Sequence, residues 1–176
     1  TTEEIQACRD GYIYVHDMPA RRDTMNCCLF DVKNVLSGGF EMGNIWYNEP
    51  KTLDVAFDVI GDIVLSAASQ QYGGFTVPSV DLILEPYAEK SYKKYVDKYL
   101  RLAIDKDTAE AEAYADVVRD FEQGFQGWEY KFNTVASSRG DYPFITVTAG
   151  TGTGRFAKQA TISMLNVRRR GQGKKE

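Results

Sequence analysis

Helical periodicity dominates this sequence and most constrains what it can fold into. Apolar residues recur at three- and four-residue steps over three long segments, at residues 50–72, 78–102 and 108–132. Pro50 opens the first segment and Gly73-Gly74 closes it, in the way that helices commonly begin and end. The chain is therefore expected to be mostly helical.

Individual residues refine these helices. Thr76 is a candidate cap for the second helix, and Pro86 inside it indicates either a kink or a break. A last helix is expected over residues 155–169. Its inward residues are predicted to be Phe156, Ile162 and Leu165.

Strand signals are few. Residues 12–15 and 144–148 are β-branched and aromatic and adjoin turn residues, which is typical of strands. Residues 27–30 are too short for periodicity to decide between strand and helix. Two strands cannot close a barrel or form a broad sheet, so we predict a mostly α fold with a few short strands. The edges of these strands are expected to remain unpaired within this chain.

Composition excludes several classes of protein. The 176 residues fit one domain, 43% are hydrophobic and 26% are charged, as in globular proteins. The net charge of -4 gives no attraction to a nucleic-acid backbone, so no nucleic-acid partner is expected. No apolar run is long enough for a membrane span, and the acidic, polar start is unlike a secretory signal. A cytoplasmic protein without a membrane partner is expected.

The cysteines and the single histidine do not predict a metal site. Cys8, Cys27 and Cys28 are odd in number and two are adjacent, so reduced thiols are expected. Together with His16 they lack the usual zinc-ligand spacings. His16 on its own is either a hydrogen-bonded structural residue or a functional one.

Five short motifs follow one another along the chain. They are Gly11-x-Ile13-x-x-His16-Asp17, Asn26-Cys27, Gly39-Phe40-x-Met42-Gly43-Asn44, Tyr72-Gly73-Gly74-Phe75-Thr76 and Tyr130-Lys131-Phe132-Asn133-Thr134. None is specific alone, but this order over most of the chain resembles class III ribonucleoside-triphosphate reductases, the anaerobic glycyl-radical enzymes. The chain resembles the N-terminal part of the barrel in their catalytic subunit.

This resemblance implies a fold and a set of cofactors. The family's fold is a ten-stranded α/β barrel, of which residues 1–176 would form a partial domain. A separate radical-SAM activase installs the family's glycyl radical, and formate is the usual reductant. Zinc is bound in a C-terminal region of the family. That region and the regulatory ATP-cone are expected to lie outside this chain, which itself is expected to bind no cofactor or metal.

The resemblance also implies functional residues. The cysteine of the Asn-Cys motif, Cys27 here, would give a hydrogen to the 2′ carbon of the substrate; the alternative is that Cys27 packs as a small apolar residue. The motifs, and a polar turn that precedes a strand, also imply residues near the ribonucleoside triphosphate; the alternative for the turn is that it is only solvated. These residues are His16, Asn26, Ser137, Ser138, Arg139 and Gly140.

Two lysines are candidates for binding an effector. The family binds a regulatory deoxynucleotide or ATP where helices of two subunits meet, which here implies a homodimer through helices 50–72 and 78–102. Lys51 and Lys94 would contact the effector's phosphates, or else belong to a solvated charged face. The turn at residues 150–155 could likewise hold a phosphate at a helix start, or be only a flexible turn.

The functional hypothesis is an anaerobic reductase that converts ribonucleoside triphosphates to deoxyribonucleoside triphosphates by radical chemistry. The chain is expected to be a fragment of that enzyme and inactive alone. The alternative is a non-catalytic module for effector binding and dimerisation. A weaker alternative is a formate-lyase relative among glycyl-radical enzymes.

Overall fold

The computed structural model describes residues 2–12, 27–71, 73–135, 142 and 144–171. The helices within these residues are α1 (Thr2–Arg9), α2 (Val32–Leu36), α3 (Leu53–Ser69), α4 (Val80–Arg101), α5 (Lys106–Thr134) and α6 (Arg155–Arg170). The strands are β1 (Cys28–Leu29), β2 (Phe40–Met42), β3 (Ile45–Tyr47), β4 (Gly74–Val77) and β5 (Phe144–Val147). The prediction of a mostly helical chain with a few short strands is confirmed.

Three of the strands form a parallel sheet in the order β1-β4-β5. The register places Cys28 beside Phe75 and Phe75 beside Ile145. The connection from β1 to β4 contains α3, and the connection from β4 to β5 contains α4 and α5. Strands β2 and β3 form a separate antiparallel hairpin. Its turn contains Gly43, whose φ of 65° lies in the left-handed region that favours glycine.

The core lies between one face of this sheet and the long helices. Helix α3 packs against α4, α5 and β4, and helices α4, α5 and α6 pack against one another. Phe57 of α3 meets Phe125 and Trp128 of α5 edge-to-face, with ring centroids 5.0 and 4.9 Å apart. The indole Nε1 of Trp128 donates a hydrogen bond of 2.9 Å to the carbonyl of Phe57. This aromatic cluster joins α3 to α5 and leaves no polar atom of the indole unpaired.

The structure contains more strands than the sequence predicted. Strand β4 begins at the glycine pair that was expected only to close the first helix, and β2 and β3, which were not predicted, lie in the motif at residues 39–44 and just after it. Residues 27–30, which were undecided, contain β1. The predicted strand at residues 12–15 falls almost wholly outside the described residues. Helix α1 was not predicted.

Helix details also differ from the predictions. Ser79 occupies the N-terminal cap position of α4 without a capping hydrogen bond from its side chain, whereas Thr76 belongs to β4, so the predicted cap is wrong. Pro86 neither breaks nor ends α4. Proline has no N–H to donate to the carbonyl four residues before it, but Pro86 is exposed, so water can solvate that carbonyl instead. Both α3 and α4 lie within the predicted ranges.

The inward face of α6 is the clearest correction. Phe156 is buried as predicted, but Ile162 and Leu165 are 51% and 59% exposed. The other buried positions of this helix hold mostly small side chains, namely Ala157, Ala160, Ser163 and Val167. Small residues let α6 approach α4 and α5 closely, which turns the larger apolar residues outward. Among the described helices, none has both the length and the apolar character needed to cross a membrane.

Candidate active site

The parallel sheet has one covered face and one open face. On the covered face, Phe75 and Val77 are buried against the helices. Side chains alternate along a strand and paired residues share a face, so the next positions point the other way. There, Leu29 and Phe144 are 73% and 77% exposed. We call this side the open face; it is formed by Cys27, Leu29, Gly74, Thr76, Phe144 and Thr146.

Cys27 lies at the amino end of the open face. Its side chain is exposed, and its Sγ accepts a hydrogen bond of 3.1 Å from the backbone N–H of Gly74. The following residue, Cys28, is partly buried and packs against the core on the opposite face. Cys8 belongs to α1 and is partly buried. Of the adjacent pair, Cys27 is therefore the cysteine whose sulfur lies on the open face.

A glycine separates Cys27 from the next large side chain. A methyl group added at Gly74 would meet the Phe144 carbonyl oxygen at 3.5 Å and the Cys27 sulfur at 3.9 Å, which are ordinary contacts. The exposed ring of Phe144 stands on the far side, because Gly74 and Phe144 are register partners. Sequence reasoning placed Phe144 in a strand but missed its exposure beside the candidate thiol.

The six predicted substrate residues lie outside the described residues. They are His16, Asn26, Ser137, Ser138, Arg139 and Gly140. Two described residues that flank them, Cys27 and Phe144, both lie at the amino end of the open face. The roles of the six remain predictions.

The predicted effector lysines lie at one corner, where the start of α3 meets α4. The backbone N–H of Leu53 donates a hydrogen bond of 2.8 Å to Ser91 Oγ there. Lys51 and Lys94 are both exposed. Burial would raise the pKa of the Asp54 carboxyl, but hydrogen bonds from Thr52 and backbone amides, together with the Lys94 cation, hold it below its ordinary value. The corner therefore has mixed charge, and its binding role remains a prediction.

The glycine turn before α6 is occupied by carboxylates of the protein itself. Asp81 Oδ2 accepts hydrogen bonds of 3.1 Å from the Gly150 N–H and 2.7 Å from the Gly152 N–H. Glu85, one helical turn further along α4, places its carboxylate against Gly154. Because these acidic groups already accept the amide hydrogen bonds of the turn or crowd it, the geometry argues against a phosphate site there. The turn is also held to α4 by Asp81, which differs from the flexible turn expected as the alternative.

The described residues offer little to a metal ion. Within the described ranges, no three histidine, cysteine, aspartate or glutamate side chains gather closely enough to hold one. The arrangement that remains is a thiol, a glycine and an aromatic ring in a row on the open face. A thiol in this position can donate a hydrogen atom or a proton to a molecule lying on the sheet.

Known proteins similar to this chain include members of one enzyme family. The family model described as anaerobic ribonucleoside-triphosphate reductase matches residues 1–176. The enzyme of that name from Enterobacteria phage T4 is 38% identical over 175 residues, covering 97% of this chain and 28% of the relative. The Escherichia coli K12 enzyme is 33% identical over 174 residues, covering 97% of this chain and 24% of the relative.

A solved structure agrees in fold. The anaerobic ribonucleotide reductase from Thermotoga maritima, in complex with dATP and CTP, matches with a TM-score of 0.63 at 16% identity. The match covers 94% of this chain and 28% of that one, so the chain spans about a quarter of the length of its relatives. From the match over its whole length, the chain belongs to the anaerobic ribonucleoside-triphosphate reductase family.

Proposed function

We propose that this chain acts as the part of an anaerobic ribonucleoside-triphosphate reductase that carries the hydrogen-donating cysteine, Cys27. The observation that carries the proposal is the exposed Cys27 sulfur on the open face, in a chain that matches the family over residues 1–176. The T. maritima relative was solved with dATP and CTP, which supports nucleotides as substrate and effector here. His16, Asn26 and residues 137–140 are proposed to contact the substrate.

The proposed reaction replaces a hydroxyl by hydrogen. Cys27 donates a hydrogen to the 2′ carbon of the ribose, the C2′–O bond breaks, and the hydroxyl leaves as water. Formate supplies two electrons and one proton and is oxidised to carbon dioxide, and a second proton comes from water, so that the hydroxyl leaves as water and the Cys27 thiol is restored. The family's glycyl radical, radical-SAM activase, zinc and ten-stranded barrel are further parts of this proposal. None of the described residues replaces them, so this chain alone is expected not to complete the reaction.

Solvent isotope provides the test of this function. A thiol hydrogen exchanges with water, so a reductase polypeptide carrying this chain should place one deuterium at C2′ when the reaction is run in D₂O. The assay uses a ribonucleoside triphosphate, formate and an activase without oxygen, and mass spectrometry locates the isotope. Deoxyribonucleotide without deuterium at C2′ would contradict a thiol donor, and no deoxyribonucleotide would contradict the reductase function.

A second candidate function is a module for effector binding and dimerisation. The observation that favours it is the corner at which α3 meets α4, where Lys51 and Lys94 are both exposed. Phosphates need converging cations, and a helix pair that meets its copy across a two-fold axis would present two such corners.

Substituting the lysines tests this candidate. Lys51→Ala and Lys94→Ala are each expected to weaken dATP or dTTP binding about ten- to a hundredfold, because each removes a charge-assisted contact. Isothermal titration calorimetry measures the affinity. Lys158→Ala, which changes an exposed lysine on α6, is the matched control and should leave the affinity unchanged. Equal losses in all three variants would show that only net charge matters.

A further inference from the structure

The row of residues at the amino end of the sheet has the form of a slot. The register pairs Gly74 with Phe144, and the pairing of Cys28 with Phe75 puts Cys27 beside Gly74. Neighbouring strands lie about 4.8 Å apart, so the backbones at Cys27 and Phe144 lie about 10 Å apart, with Gly74 between them. The sulfur forms one wall of the slot and the aromatic ring forms the other.

Gly74 forms the floor of the slot and has no side chain. Among the described residues, a methyl group at Gly74 would meet only the Phe144 carbonyl oxygen and the Cys27 sulfur within 4 Å, so the glycine keeps space above the sheet. The backbone could accommodate a side chain there, since Gly74 is not among the residues with positive φ. Glycine in a sheet often marks a place where a ligand approaches the backbone closely.

The far wall is an apolar ring with little of its surface covered. Phe144 is 77% exposed, more than any other described phenylalanine, although it belongs to a strand of the parallel sheet. Leu29, which lies on the Cys27 side of the slot and in the next row, is 73% exposed as well. An exposed aromatic ring is a sequence-tolerant stacking surface for nucleobases.

We infer that Phe144 contacts the substrate, with the ribose lying over Gly74 and the nucleobase against the Phe144 ring. The inference rests on the proposed function of Cys27. The base is attached to C1′, the neighbour of the carbon that receives hydrogen. A ribose whose C2′ faces the Cys27 sulfur therefore carries its base across the glycine, towards the opposite wall.

Protection of Cys27 from alkylation tests the slot directly. The chain is treated with iodoacetamide at increasing concentrations of CTP, and mass spectrometry measures labelling at each cysteine. CTP should slow labelling of Cys27 but not of Cys8. Phe144→Ala should raise the half-protecting concentration of CTP about ten- to a hundredfold, the size of a lost base–aromatic contact. Phe144→Tyr should preserve protection, because it keeps the ring.

Two controls separate binding at the slot from other effects. Leu102→Ala removes a side chain that is 64% exposed at the turn after α4, and it should leave protection unchanged. Because Phe144 is exposed, Phe144→Ala should fold normally, and its labelling without CTP should match that of the parent chain. Inorganic triphosphate replaces CTP in a parallel series and should protect Cys27 much less.

Three outcomes would overturn the inference. Equal protection in the parent chain and in Phe144→Ala would show that the Phe144 ring does not contact CTP. Equal protection by CTP and inorganic triphosphate would mean that the base makes no contact. No protection in the parent chain would mean that the open face does not form the slot, and Phe144 would then be a surface for packing against protein. The isotope experiment decides the role of Cys27 separately in each case.

Discussion

Replacing Cys27 by serine is expected to lower deoxyribonucleotide formation at least about a thousandfold, equivalent to about 4 kcal/mol of activation free energy. Serine has nearly the same shape, but its O–H bond is too strong to release a hydrogen atom to carbon. The side chain is exposed, so the free energy of unfolding should change by no more than about 0.5 kcal/mol. The assay is anaerobic ribonucleotide reduction by a reductase polypeptide that carries this chain.

Cys28 supplies the matched control for this prediction. It is the adjacent residue, but it points to the covered face and packs against the core. Cys28→Ser should keep most of the activity and lower the free energy of unfolding by about 1 kcal/mol, because a hydroxyl is placed among apolar neighbours. If Cys28→Ser were inactive and Cys27→Ser active, the motif match would be wrong by one residue.

The helices could be predicted because their signal is local and long. Helix α3 repeats its apolar residues over 17 residues and α5 over 29, so single exceptions do not hide the period. The start of α5 was predicted less closely: the helix begins two residues before the predicted Thr108, and its cap is Asp105, whose side chain accepts a hydrogen bond from the Thr108 backbone N–H. Such patterns need no knowledge of distant neighbours.

The strands could not be predicted in the same way. Strand β1 has two residues and β4 has four, and neither alternates over a long enough stretch. Their stability depends on partners far along the chain, since Cys28 pairs with Phe75 and Phe75 pairs with Ile145. The open face depends on the same non-local register. The motifs therefore predicted Cys27 as a candidate, but they did not predict Gly74 and Phe144 beside it.

The inward face of α6 shows a different limit. Choosing the largest apolar residues placed Ile162 and Leu165 inside, whereas the structure buries Ala157, Ala160 and Ser163. Hydrophobicity predicts that a helix has an apolar face, but the distance between helices decides which residues fit there. That distance is set by α4 and α5, which the local sequence of α6 does not describe.

Replacing Asp81 by alanine is expected to lower the free energy of unfolding by about 3 kcal/mol, or the midpoint of thermal unfolding by about 6–12 °C for a chain of this size. Asp81 is fully buried, and its Oδ2 holds the Gly150 and Gly152 amides. Alanine would leave both donors without their charged acceptor and detach the turn from α4. Urea or thermal denaturation followed by circular dichroism measures the change.

Two further variants separate the hydrogen bonds from the charge and from the position on α4. Asp81→Asn keeps an acceptor oxygen but loses the charge, so it should cost only about 1 kcal/mol. The cost is limited because Asp81 Oδ1 is buried without a hydrogen-bond partner in the part of the chain that the structure describes, so the carboxylate is not fully stabilised even in the parent protein. Asp97→Ala, at an exposed position of the same helix, should change stability by less than about 0.5 kcal/mol. If Asp81→Ala proved as stable as Asp97→Ala, the two amides would be solvated without the carboxylate, and the turn before α6 would be free to bind an anion after all.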